Sequence, residues 1–308
     1  MTGPVANPRV LGSCHGYGVR SELTFRTLRS GGGTPLQVNE VADLAPEGEL
    51  LSTWRPRPGN PFHGRLLKDG SRYAFWASDA GWYLVDPSQP SITVEKRDNE
   101  LRRELRLFGV PVALCTFEQG DISVHASAIE IDGQGVLLAG PSRYGKTTLA
   151  AGFLRAGHRL LSEDTSRCSA SGPPTVFPGP SVLRLRSDVA RRLEIRTAPP
   201  AESEDDRVPL IVDERWRGDG VAVPLRAIIL LDHGGEPATL RSVPSMEALR
   251  DILALTFRLP TEGYGAACFS RVADLMAKVE TLRLHRRMTI QSLDEVVSLV
   301  ERHVAASG

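Results

Sequence analysis

Three features of the chain predict an α/β fold: a phosphate-binding loop set between a buried strand and a helix, with a small β-rich domain ahead of it. Residues Gly140–Thr147 read G-P-S-R-Y-G-K-T, a full match to G-x-x-x-x-G-K-[ST]. The apolar run Val136-Leu137-Leu138-Ala139 precedes the motif, and Thr148–Ala156, a helix-forming stretch ending at Gly157, follows it. Short β-branched or aromatic runs crowd the first 97 residues, whereas strand-like and helix-like runs succeed one another after them.

In chain order, Tyr17–Phe25, Arg72–Trp76, Trp82–Val85 and Ser91–Glu95 read as strands separated by turn residues. The Pro- and Gly-rich run Trp54–Phe62 reads as a loop among them. Asp98–Phe117 turns helical, with Leu101, Leu105, Leu107 and Val110 near helical spacing until Pro111 interrupts. This divides the chain into a small β-rich domain, residues 1–97, and a larger α/β domain, residues 98–308, that carries the loop. Ala198–Asp206 reads as an acidic loop. The last helix is marked by a capping box, Ser292 with Glu295, and by the apolar face Val296, Val297, Leu299, Val300 and Val304.

The loop residues have separate tasks. Gly140 and Gly145 let the backbone bend so that successive N–H groups point at a phosphate, as Ser142 and Thr148 extend the cradle on either side. Lys146 reaches the β- and γ-phosphates, and the Thr147 hydroxyl suits Mg²⁺. A helix starting here adds the favourable end of its dipole. Arg143 and Tyr144 stand where small residues are common; such a bulky pair narrows the loop mouth, stacks on a nucleotide, or weakens phosphate binding.

Beyond the loop, Arg159-Leu-Leu-Ser-Glu-Asp164 reads as a short strand ending in two adjacent carboxylates, Glu163 and Asp164. Following the loop helix directly, it is expected beside the loop strand, releasing both acids near the phosphates. One acid can hold Mg²⁺ and the other accept a proton from an attacking hydroxyl; an exposed acidic turn is the plainer alternative. His125 precedes the strand Ala128–Ile131 and the turn Asp132-Gly133, so antiparallel pairing would return it toward the nucleotide site. A lone histidine is otherwise more often structural.

Composition narrows the function classes. The 308 residues carry 37 basic and 37 acidic side chains, so no global field points to nucleic acid or an anionic membrane. Cys14, Cys115, Cys168 and Cys268 are scattered without a C-x-x-C pair, which speaks for a reducing cytoplasm and against a zinc site or disulfide framework. No run approaches membrane length, and the first residues lack the apolar core of a signal peptide.

The stretch from Val124 to Asp164 (V-H-A-S-A-I, D-G-Q-G-V-L-L-A-G-P-S, G-K-T-T-L-A, A-G-H-R-L-L-S-E-D) resembles the catalytic core of HPr kinase/phosphorylase. It is similar above all to the shorter HPr-kinase-related proteins found beside ribosomal-peptide pathways, including lasso-peptide tailoring kinases. The opening run Tyr17-Gly-Val-Arg-Ser21 and the tail Leu282–His303 also resemble those relatives. His125 stands 21 residues before Lys146 and Asp164 stands 18 after it. The resemblance implies that His125 and the paired acids line the transfer site, with Asp164 as general base and Glu163 in place of the family's first aspartate. Leu193-Glu194-Ile195-Arg196 matches half of a further family signature and then diverges, which keeps Glu194 as a weak Mg²⁺ candidate and weakens any phosphorylase or hexamer expectation.

The expected function is therefore Mg²⁺-assisted transfer of a phosphoryl group from ATP to a hydroxyl, a serine of a peptide or small protein. Gly140, Ser142, Arg143, Tyr144, Gly145, Lys146, Thr147 and Thr148 would hold the nucleotide, Thr147 and Glu163 the metal, with His125, Lys146 and Asp164 catalytic. By position, Ala198–Asp206 and Phe257–Tyr264 are candidates for acceptor contact, and a homo-oligomer is left open. Two rivals stand beside this reading: a catalytically weak nucleotide-binding regulatory module, and a kinase acting on free serine or an aminosugar.

Overall fold

The computed structural model describes residues 9–56, 61–195 and 207–306. The N-terminal region forms one eight-stranded sheet from β1 (Val10–Cys14), β2 (Tyr17–Arg20), β3 (Thr34–Val41), β4 (Glu49–Trp54), β5 (Gly64–Asp69), β6 (Arg72–Ala77), β7 (Gly81–Asp86) and β8 (Ser91–Glu95). Their spatial order is β1-β2-β3-β8-β7-β6-β5-β4. The expected strand from Tyr17 ends at Arg20 rather than Phe25. Ser21 is the reason: its hydroxyl donates to the Val38 carbonyl and accepts the Leu23 N–H, turning the chain out of the sheet.

Two helices follow, α1 (Glu100–Leu107) and α2 (Val110–Glu118). Asn99 caps the first, its side-chain oxygen accepting the Arg102 N–H at 2.9 Å. The helical stretch is interrupted at Phe108 and Gly109, just ahead of Pro111, which lies in the first turn of α2, where its missing N–H has no partner to lose. Both helices pack on the N-terminal sheet: Leu107, Phe108, Val112 and Leu114 share a core with Tyr17, Phe75 and Tyr83.

The loop-bearing region contains β9 (Ile122–Val124), β10 (Ala126–Ile131), β11 (Gln134–Ala139), α3 (Lys146–Arg155), β12 (Arg159–Ser162), β13 (Ser166–Ser169), β14 (Thr175–Phe177), β15 (Val182–Arg186) and α4 (Ser187–Arg192). After the acidic segment come β16 (Arg207–Ile211), β17 (Val223–His233), β18 (Thr239–Ser242), α5 (Ser245–Leu255), α6 (Glu262–Met276), β19 (Glu280–Arg286) and α7 (Leu293–Ala306). The central sheet has nine strands, and β15 with β16 forms a separate ribbon.

Within the central sheet β11, β17 and β19 are parallel, and β10 runs antiparallel between β11 and β12. The sequence reading had placed β12 directly beside the loop strand. The tight turn at Asp132-Gly133 instead folds β10 back onto β11, so β10 takes that place and β12 pairs with β10. Two antiparallel steps restore direction, and β12 ends at the same rim as β11.

Successive residues of the central strands serve opposite cores. Val136 and Leu138 of β11, with Ala227 and Ile229 of β17, face α3 and α7. Leu137, Ala139, Ile228 and Leu230 face α5 and α6, packing on Ile252 and Val272. Burial on both faces explains why these strands read as unbroken apolar runs. At the start of α7 the expected capping box does not form. The Ser292 hydroxyl donates to the Arg287 and Thr289 carbonyls, and the Glu295 carboxylate accepts the Ala238 N–H.

Candidate active site

The loop leaves β11 at Gly140 and enters α3 at Lys146. Gly145 has φ 74°, and an added Cβ would come within 2.7 Å of the Arg286 guanidinium, so glycine is required twice over. Arg143 also has positive φ, 72°, and its side chain is exposed with that of Ser142. Tyr144 turns its ring to His233, centroids 4.1 Å apart, and packs on the core beneath. Thr148 lies half-buried in the first turn of α3.

Lys146 is 7% exposed and its ammonium donates to the carbonyls of Gly140 at 2.7 Å and Pro141 at 3.1 Å. Desolvation lowers its pKa, opposed by the charges of Asp164 and Glu163. The third neighbour of the ammonium is His125 Nε2 at 3.0 Å. His125 Nδ1 faces the Asp164 main-chain carbonyl at 2.9 Å, and a carbonyl only accepts. Nδ1 therefore donates and Nε2 accepts from Lys146. Pairing of Ala126 with Ala139 across the β10–β11 hairpin is what returns His125 to the loop.

Glu163 and Asp164 leave the end of β12. The Thr147 hydroxyl donates to Glu163 Oε1 at 3.0 Å. One guanidinium then spans both acids: Arg184 Nε lies 3.0 Å from Glu163 Oε2, and Arg184 Nη2 lies 2.8 Å from Asp164 Oδ2. Asp164 has φ 68°, a left-handed conformation that costs a non-glycine residue energy and clusters at functional sites. Although burial raises its pKa, Arg184 and His125 outweigh that effect and hold the carboxyl well below the ordinary range. Arg184 is pushed the other way, most by Glu163.

Because the Asp164 pKa is depressed, its stabilisation is fully present above the unfolded carboxylate value of about 3.9 and is lost as pH falls through the folded value. Comparing melting temperatures of the parent and Asp164→Asn across pH, the difference should hold constant from pH 7 to 5 and shrink only below about pH 4. A difference that shrinks between pH 7 and 5 would show that Arg184 does not govern Asp164.

Two arginines completing the site were not picked out from sequence. Arg184 sits on β15, and Arg286 ends β19 beneath the loop, donating to the Tyr144 and Gly145 carbonyls at 3.2 and 3.4 Å. Arg286 is almost wholly buried, and desolvation lowers its pKa to about 10. Glu194 is exposed just past α4, outside the bonds joining Thr147, Glu163 and Asp164. Ala198–Asp206 lies outside the described residues. Phe257 donates its N–H to the Ser123 carbonyl at 2.8 Å, two residues before His125, and Tyr264 stacks on Phe117 with ring centroids 3.4 Å apart.

Next to the acids opens a cavity of about 300 Å³. Trp54, Phe62 and Phe75 of the N-terminal region and Leu101 and Leu105 of α1 form one wall. Val182, Arg184 and Val208 of the β15–β16 ribbon line the cavity too, together with Glu163, Asp164 and His15.

This arrangement of loop, histidine and paired acids is accompanied by likeness in sequence. The HPr kinase/phosphorylase of Lactobacillus acidophilus is 48% identical over 63 residues, 20% of this chain and 20% of that protein. That of Listeria monocytogenes is 25% identical over 158 residues, covering 47% of this chain and 51% of its own length. The chain is similar to HPr kinase/phosphorylase. The Limosilactobacillus reuteri HPr kinase/phosphorylase gives 26% identity over 166 residues, 47% of this chain and 49% of that protein. The chain thus spans about half the length of these longer-matching curated relatives. The solved HPr(Ser) kinase/phosphatase of Coxiella burnetii aligns with 60% of this chain and 99% of its own, at 12% identity and a TM-score of 0.33. No family model matches the chain. Among the described residues no helix is long and apolar enough to cross a membrane.

Proposed function

We propose that the protein is an ATP-dependent kinase that phosphorylates a hydroxyl, a serine of a peptide or small protein, as in ribosomal-peptide tailoring. The observation that carries this reading is the linked set Lys146, His125, Asp164, Glu163 and Thr147, all at one rim of the sheet. A phosphate loop alone binds nucleotide; a loop joined through His125 to the residue that carries the Asp164 carboxylate also has a proton acceptor close by. The similarity to HPr kinase/phosphorylase supports the same assignment.

Gly140, Ser142, Arg143, Tyr144, Gly145 and Thr148 cradle the triphosphate through the loop backbone and the start of α3, and Lys146 meets its terminal phosphates. The Thr147 hydroxyl and Glu163 carboxylate, 3.0 Å apart, are hard oxygen donors of the kind Mg²⁺ takes alongside phosphate oxygens. Bound there, Mg²⁺ supplies charge neutralisation at the phosphates. The acceptor oxygen bonds to the γ-phosphorus as the bond to the β,γ-bridging oxygen breaks and ADP leaves. Asp164 takes the acceptor's proton. Its depressed pKa keeps it ionised and able to take the proton once bonding to phosphorus has made the hydroxyl acidic, which suits a loose phosphoryl-transfer transition state.

Lys146→Ala should abolish stabilisation by Mg-ATP. In the parent, ATP at a hundred times its dissociation constant should add about 2.7 kcal/mol, read as a rise in melting temperature. No rise in the parent would remove the nucleotide site and the kinase reading with it.

A further inference from the structure

Glu163 and Asp164 line the cavity, and none of Gly140–Thr148 does. Nucleotide phosphates belong on the loop, at the N-terminus of α3. The cavity therefore opens where the second substrate must approach Asp164. Its walls are mostly apolar, and three of the four arginines that line it, Arg102, Arg106 and Arg184, are matched to carboxylates; Arg207 is the fourth. Arg106 makes three contacts with Asp79, at 2.8, 3.0 and 3.3 Å, and lies over the Phe62 ring. Arg102 reaches Asp79 at 3.4 Å, and Arg184 is held by the two acids. The lining asks for an uncharged, largely apolar occupant.

His15 supplies an independent observation. It lies in the β1–β2 turn with φ 51°, is 1% exposed, and its ring rests against Gly179, where even a Cβ would clash at 2.5 Å. Among the described residues neither ring nitrogen has a partner at ordinary hydrogen-bond geometry, although buried polar groups usually have one. Desolvation first, then Arg167 and Arg29, lower its pKa to about 3, opposed by a hydrogen bond to the Phe108 backbone that falls outside ordinary geometry. The ring is thus uncharged, with one N–H donor and one acceptor. A peptide unit offers the matching acceptor and donor pair.

We propose, building on the kinase reading, that this cavity is the acceptor subsite and takes a peptide segment whose hydroxyl-bearing residue is flanked by a large apolar side chain. The apolar side chain fills the space between Trp54, Phe62 and Leu105. His15 bonds the main chain of the same segment, and the hydroxyl is left at Asp164. The N-terminal sheet and α1 then decide which peptide is accepted, while the loop-bearing region performs the transfer.

The test separates binding from chemistry. Two capped pentapeptides with a central alanine in place of serine, one flanked by leucines and one by asparagines, are titrated calorimetrically into the full chain with ADP and Mg²⁺. The leucine peptide should bind at least about tenfold more tightly, and Leu105→Glu should erase the preference. Trp54→Ala provides a second variant should Leu105→Glu fail to fold. His15→Ala should weaken both peptides alike, while His15→Gln, which restores a donor and an acceptor, should recover part of the loss. Equal affinity for the two peptides, no binding of either, or a preference untouched by Leu105→Glu and Trp54→Ala would overturn the inference. The kinase reading is judged separately, by mass spectrometry of the serine versions with Mg-ATP. Selective binding without phosphate transfer would sink that reading and leave the subsite standing.

Discussion

Asp164→Asn is expected to lower phosphoryl transfer by about 10²- to 10⁴-fold while leaving Mg-ATP binding nearly intact. The asparagine keeps the shape of the side chain and can still accept from Arg184, but it can no longer take a proton. The main-chain carbonyl that orients His125 survives the change, since His125 Nδ1 bonds the Asp164 backbone at 2.9 Å. Single-turnover transfer and nucleotide-induced melting shifts, measured on the same preparation, decide the outcome. Undiminished transfer would move the proton-accepting role to Glu163. Loss of binding together with transfer would mark Asp164 as a metal ligand instead.

Arg29→Met should destabilise the whole protein by about 3 kcal/mol or more. Arg29 is 1% exposed and donates to four main-chain carbonyls, those of Gly179, Gly218, Leu160 and Leu161, at 2.8–2.9 Å. Methionine fills the volume but leaves buried acceptors with fewer partners or none. Two of those carbonyls lie on β12, the strand that delivers Glu163 and Asp164. The loss of stability should therefore come with weaker transfer even in the fraction that remains folded. A melting temperature within a degree of the parent would show these bonds to be replaceable by water. By the same logic, a chain beginning near Arg97 should not fold on its own. It would expose Leu107, Phe108, Val112 and Leu114, which are buried against the N-terminal sheet, and would lack Arg29 altogether.

How much of this was legible in the sequence depended on the range of the physics. The strand–loop–helix unit around Lys146 is encoded within about twenty consecutive residues, in apolar runs, glycines and a lysine, and it could be read directly. His125 and the acids were readable because a two-residue turn fixes one pairing and a short strand fixes the other. The order of β10 and β12 was not, since neighbour choice in a sheet depends on pairings that composition does not record. Strands β1, β3, β4 and β5 were missed because Gly, Pro, Asn, Ser or charged residues dilute their β-branched and aromatic content, and Glu49–Trp54 contains no fully buried residue. Arg184, Arg286 and Arg29 look like ordinary arginines. Each acquires its role from partners 20 to 189 positions away, and no local signal marks such a residue.

The direction of the central strands has a practical consequence. Because β11, β12, β17 and β19 all run the same way, the molecule has a working end, where Gly140, Glu163, His233 and Arg286 emerge, and a quiet end, where the Asp132-Gly133 turn sits exposed in solvent. A dye, affinity handle or surface tether attached at that turn would be held a full strand length from the chemistry. The protein can thus be labelled or immobilised there with its reacting face left open to nucleotide and peptide.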